Sequence, residues 1–112
     1  MKIYHNPRCS KSRQSLALLN ENNAEPEVIE YLKTPPDTAT LRGLIKKLNL
    51  PAHDLLRTKE DEYAAANLSP ESTEAEILAA IETHPILLER PIIVKGNQAV
   101  IGRPPENVKQ LL

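Results

Sequence analysis

Two β-branched runs near the C-terminus, Ile92-Ile93-Val94 and Ala99-Val100-Ile101, are joined through Gly96-Asn97. That pattern is a hairpin signal, and it commits this end of the chain to paired strands. The other end reads differently. Lys2 to Asn6 is a short strand with Ile3 beside Tyr4, and Asn6-Pro7-Arg8 breaks it. From Ser10 to about Glu21, Leu16 and Leu19 recur at helical spacing, with Ser12 one turn earlier. Glu27 to Tyr31 is a second strand centred on Val28 and Ile29.

Between these ends the periodicity is helical. Thr34-Pro35-Pro36-Asp37 is a turn that opens a helix in which Leu41, Leu44, Ile45 and Leu48 share one face. Asn49 and Pro51 end it. Short helical pieces follow over 52–68, carrying Leu55, Leu56 and Leu68. A further helix from about Thr73 turns Ile77, Leu78 and Ile81 inward and stops at His84-Pro85. After the hairpin, Gly102-Arg103-Pro104-Pro105 leads into a last helix that includes Val108, Leu111 and Leu112. The order is β-α-β, a helical insert at about 37–84, then β-β-α. This is the element order of an α/β, thioredoxin-like domain, with helices on both faces of a four-stranded mixed sheet. At 112 residues the chain fits one such domain, spanning 1–112. With three Tyr, no Phe and no Trp, its core is built from Leu, Ile, Val and Ala.

No apolar run approaches the roughly 20 residues of a membrane helix. The first residues, MKIYHNPRC, lack the apolar stretch of a secretory signal, and with one free cysteine this points to the cytoplasm. A net charge of −1 without aromatic–basic interleaving speaks against nucleic-acid binding. The charge is uneven: residues 1–20 hold Lys2, Arg8, Lys11 and Arg13 and no acid, which leaves −5 for the remainder.

The only cysteine, Cys9, lies inside that positive segment, at or just before a predicted helix start. Unpaired backbone N–H groups and the helix dipole there favour a thiolate and bind oxyanions. Such surroundings lower a thiol pKa from ~8.5 into the range ~3.5–7.5. Lys11 and Arg13 add cationic charge, Ser10 and Ser12 offer hydroxyls, and His5 is placed to tune or orient the site. One cysteine closes no internal disulfide and builds no multi-thiolate metal site, so any second thiol comes from outside the chain. A tyrosine-phosphatase loop needs Arg at position 15, where this chain has Ser. A dithiol motif needs Cys at position 12, also Ser here. A monothiol CxxS arrangement remains.

These residues resemble the glutaredoxin-coupled arsenate reductases. The likeness runs through Ile3-Tyr4-His5-Asn6-Pro7, Cys9, Ser12-Arg13, Tyr31-Leu32 and Thr34-Pro35-Pro36. It continues through Leu55-Leu56-Arg57, His84-Pro85-Ile86-Leu87, Arg90-Pro91-Ile92-Ile93-Val94 and Gly102-Arg103-Pro104, covering essentially the whole chain. The resemblance implies Cys9 as nucleophile and Arg57, Arg90 and Arg103 as the oxyanion ligands, with His5, Ser12 and Arg13 in support. It also implies a cis proline at Pro91. The reaction implied is arsenate reduction to arsenite, with glutathione as co-substrate, glutaredoxin as partner, and no bound metal or organic cofactor. The chain departs from the family in one place, with Ser10-Lys11 where arsenate-reducing members carry Gly-Thr after the cysteine. Two alternatives share the scaffold. One is a monothiol oxidoreductase acting on another substrate, such as a glutathione disulfide. The other is an Spx-like regulator that binds RNA polymerase, a group that usually carries CxxC rather than the Ser12 found here.

Overall fold

The computed structural model describes residues 1–112 as two compact units: residues 1–34 with 90–112, and residues 35–89. No helix in either is long and apolar enough to cross a membrane.

The first unit holds the sheet. Its strands are β1 (Lys2–His5), β2 (Glu27–Glu30), β3 (Ile92–Lys95) and β4 (Gln98–Ile101). They lie in the order β2-β1-β3-β4, with β1 and β2 parallel and the other two pairings antiparallel. The parallel pair needs a crossover, and α1 (Ser10–Glu21) supplies it. The predicted hairpin closes with Lys95 opposite Gln98, and Gly96 takes φ +59 at the first central position. A two-residue turn needs a positive φ there, and glycine provides it without a Cβ clash. One face of the sheet presents Ile3 and Ile93 to Leu19 of α1 and to Val108 and Leu111. Each such side chain removed from water contributes about 1.5–3 kcal/mol.

Three expectations are corrected here. The last helix is a 3-10 helix over Pro105–Leu111 rather than an α-helix. Its buried residues, Pro105, Val108 and Leu111, are spaced by three, which aligns side chains on a three-residue turn. On α1 the fully buried positions are Ser12, Ser15 and Leu19, while Leu16 is only half-buried. That helix therefore turns two hydroxyls, not two leucines, toward its most enclosed side. The second strand stops at Glu30, and the buried Tyr31 opens a turn.

The second unit is helical: α2 (Thr38–Leu48), a 3-10 turn (Ala52–Leu55), α3 (Asp61–Ala65), α4 (Glu74–Thr83) and a 3-10 turn (Pro85–Leu87). Its ends are set by local chemistry. Asp37 caps α2 by accepting from Thr40 N–H at 2.8 Å, and Asn49 closes it in the left-handed region. Thr73 and Glu76 form a capping box at the start of α4. Leu41, Leu44, Leu48, Leu55, Ile77, Leu78, Ile81 and Leu87 are buried. A single antiparallel bridge, Leu56 with Leu88, is flanked by Arg57 N–H on Leu87 carbonyl (2.8 Å) and Glu89 N–H on Leu55 carbonyl (2.7 Å). His53 is half-buried and shares a 2.9 Å hydrogen bond with Tyr63.

Candidate active site

Cys9 is the N-cap of α1, with extended backbone angles. Two short-range bonds put it there. Its N–H donates to Asn6 carbonyl at 3.0 Å, and its own carbonyl accepts the first helical bond from Arg13 at 3.0 Å. Asn6 also takes Arg8 N–H on its side-chain oxygen at 3.0 Å, and Arg13 Nη1 donates to Pro7 carbonyl at 2.9 Å. The strand-to-helix loop is thus tied at both ends. Arg13, expected as a cation for the thiol, spends one of its donors bracing this loop.

Burial pushes the Cys9 thiol up, but the surroundings outweigh it. Ser12 N–H, the Arg90 side chain and Lys11 N–H hydrogen-bond the sulfur, the Arg103 charge adds to them, and the net result lies below the ordinary thiol value. Arg103 Nη2 stands 3.6 Å from Sγ, and Arg103 Nε donates to Arg90 carbonyl at 2.8 Å. The second contact fixes the plane of the guanidinium that makes the first. Within this unit, then, Cys9, Arg90 and Arg103 come together although 80 residues separate the first two in the chain.

Arg90 is followed by a cis peptide bond to Pro91, as the resemblance implied. A second cis bond, Arg103–Pro104, had no sequence signal. Gly102 lies between these two segments. Its N–H donates to Pro91 carbonyl at 2.9 Å and its carbonyl accepts from Ser15 Oγ at 3.3 Å. A Cβ at this position meets Ser15 Oγ and, at 2.8 Å, Pro91 Cγ, so only glycine lets the two arginine-bearing segments approach.

His5 and Ser12 are both buried and share a 2.6 Å hydrogen bond through Nδ1 and Oγ. Ser12 Oγ also accepts Asn6 N–H at 3.1 Å. The Ser12 hydroxyl, expected to face the thiolate or an anion, is thereby committed to the loop, and Ser12 serves the sulfur through its backbone N–H. Burial holds His5 below the usual imidazole value, with Arg13 adding to the drop and Glu30 opposing it. His5 therefore braces the loop through its hydrogen bond to Ser12.

Arg57 belongs to the helical unit. Its Nε lies 3.2 Å from Glu60 Oε1 and its Nη1 lies 3.1 Å from Glu89 Oε1. Burial alone lowers the Arg57 pKa, but Glu60 and Glu89 more than offset this and hold it above the ordinary value, so the group stays charged. Two of its five N–H donors are used this way, and the planar fork is held in one orientation. Sequence reasoning missed Glu60 and Glu89, since a lone Glu carries no signal of the Arg it will meet. No group of three or more His, Cys, Asp or Glu side chains is arranged to hold a metal ion.

The chain has counterparts in sequence and fold. The ArsC family model matches residues 4–111. The uncharacterized protein YfgD of Escherichia coli K12 is 53% identical over 114 aligned positions, covering 100% of this chain and 96% of that one. An arsenate reductase of Neisseria meningitidis serogroup A is 46% identical, covering 100% and 97%. The solved arsenate reductase structure from Vibrio cholerae superimposes with a TM-score of 0.95 at 44% identity, covering 99% and 96%.

Proposed function

Since the chain belongs to the ArsC family and has its thioredoxin-like fold, we propose that it is an arsenate reductase that draws its electrons from glutathione and glutaredoxin. One observation carries the reading: the Cys9 thiol lies at the N-terminus of a 12-residue helix with Arg103 Nη2 at 3.6 Å. Backbone amides and guanidinium groups that stabilise a thiolate also suit a tetrahedral oxyanion, because both present concentrated negative charge.

Cys9 thiolate attacks the arsenic of bound arsenate. A sulfur–arsenic bond forms, an arsenic–oxygen bond breaks, and the oxygen leaves as hydroxide or water. Arsenic is still pentavalent at this point. Arg90 and Arg103 neutralise the oxyanion, and Arg57 is the third ligand by resemblance to the family. A planar fork meets two oxygens of arsenate at once, which an ammonium does not. Reduction to arsenite takes two electrons, and this chain has one thiol. Two external thiols supply them: glutathione forms its own sulfur–arsenic bond as a second arsenic–oxygen bond breaks and that oxygen leaves as water, and glutaredoxin then attacks the glutathione sulfur. The electron pair of the broken sulfur–arsenic bond stays on arsenic, and the two donor sulfurs end as a disulfide. Water then releases arsenite and returns Cys9 to the thiol.

The test is arsenite production from arsenate with purified protein, glutathione and glutaredoxin, beside Cys9→Ser. Turnover that requires glutaredoxin and vanishes in the variant supports the reading. Its absence with an acidic Cys9 thiol rejects the substrate. Arg90→Ala separates this activity from a glutathione-disulfide oxidoreductase, since only the oxyanion reaction needs the guanidinium.

A further inference from the structure

A cavity of about 210 Å³ lies beside the reactive loop, lined by residues 5–8 on one side and by Glu30, Leu32 and Lys33 on the other. Pro7 and Leu32 form apolar wall, with Leu32 42% exposed. Arg8 and Lys33 bring two cations and Glu30 one anion. The Lys33–Glu30 pair is long at 3.5 Å, and its side chains are 77% and 41% exposed. Solvent screens such a pair heavily, so either partner is available to an incoming ion. Arg8, which lines this cavity, is the residue before Cys9 in the chain.

The charge pattern is specific. Two cations and one anion around an apolar wall complement a ligand with two carboxylates and one ammonium on a short uncharged chain. The thiol tripeptide glutathione has that set: a glycine carboxylate, a γ-glutamyl carboxylate with its ammonium, and a cysteinyl sulfur between. A chain with a single cysteine needs such a sulfur delivered close to its own.

We propose that this cavity is the docking site for the small reductant, a γ-glutamyl thiol peptide, with carboxylates on Arg8 and Lys33, ammonium on Glu30, and its chain against Pro7 and Leu32. The choice of reductant rests on the arsenate reading; the cavity and its charges do not. Recognition is electrostatic at the rim, so binding weakens as ionic strength rises.

S-methylglutathione, whose sulfur cannot react, is the probe. Titrated into the isotope-labelled protein, it shifts the backbone amides of His5, Arg8, Leu32 and Lys33 ahead of those elsewhere. Lys33→Glu and Arg8→Gln each weaken this binding, by about tenfold for the charge reversal, while amides distant from the cavity keep their positions and report an intact fold. The proposal is overturned if the shifts map elsewhere, if no binding occurs at millimolar probe, or if Lys33→Glu leaves the affinity unchanged. Arsenate turnover is a separate readout: binding in the cavity without turnover rejects the arsenate reading alone. Turnover with glutaredoxin but no probe binding rejects the docking site alone.

Discussion

Arg103→Ala removes a cation whose Nη2 lies 3.6 Å from Cys9 Sγ. Opposite unit charges about 4 Å apart attract by ~1 kcal/mol in water and ~4 kcal/mol at an effective dielectric constant of ~20. Cys9 is only half-buried, so solvent keeps the interaction toward the low end. A loss of about 1.4 kcal/mol corresponds to about one pKa unit. The Ser12 and Lys11 amides and the Arg90 side chain remain in place to stabilise the thiolate. The thiol midpoint in Arg103→Ala is therefore expected to rise by roughly one unit and no further. Iodoacetamide alkylation measured against pH reads it directly, because the chain has one cysteine and every alkylation event is at Cys9. Arg103→Lys keeps the charge but loses the Nε bond to Arg90 carbonyl that fixes its position, and its midpoint falls between the other two. A midpoint that does not move in Arg103→Ala refutes the assignment and leaves the thiolate to the helix amides and the Arg90 side chain.

Ser12→Ala leaves Asn6 N–H and His5 Nδ1 without their buried partner, at a cost of about 1–3 kcal/mol in urea unfolding. Gly102→Ala forces a Cβ against Ser15 Oγ and Pro91 Cγ and costs about 1–3 kcal/mol, with arsenate KM rising as the Arg90 and Arg103 segments shift apart. The Cys9 thiol titrates lower folded than unfolded, so between the two values the unfolded chain binds more protons and stability rises with pH. That gain is lost as pH falls through the folded value, and Cys9→Ser flattens this part of the stability–pH curve. The folded pKa of His5 is likewise depressed, so stability declines as pH drops below about 6.5 toward its folded value, and His5→Asn removes that decline.

The sequence by itself determined what local rules govern. The Gly96-Asn97 turn, the α2 face of Leu41, Leu44 and Leu48, the Asp37 and Asn49 caps and the break at Asn6-Pro7 all depend on residues within a few positions of one another. The same holds for the placement of Cys9 at a helix start, since it follows from where the apolar period begins. Arg90, Arg103 and the cis bond at Pro91 were legible only through family resemblance, because an arginine beside a proline has no local signal of function. Tertiary structure alone decided three things. It set α1 against the sheet through Leu19 and sent the Ser12 hydroxyl to His5 and Asn6 rather than to the sulfur, a choice made by partners seven and six positions away across the loop. It made Gly102 a contact residue, since the Ser15 and Pro91 side chains that exclude a Cβ come from α1 and from the segment before β3. And it gave Arg57 its two glutamates, one of them 32 positions on, through a short antiparallel bridge between leucines. Hydrophobic period, caps and turns act over one or two turns of chain, whereas charge pairing and close approach depend on distance in space, which pairing and packing set.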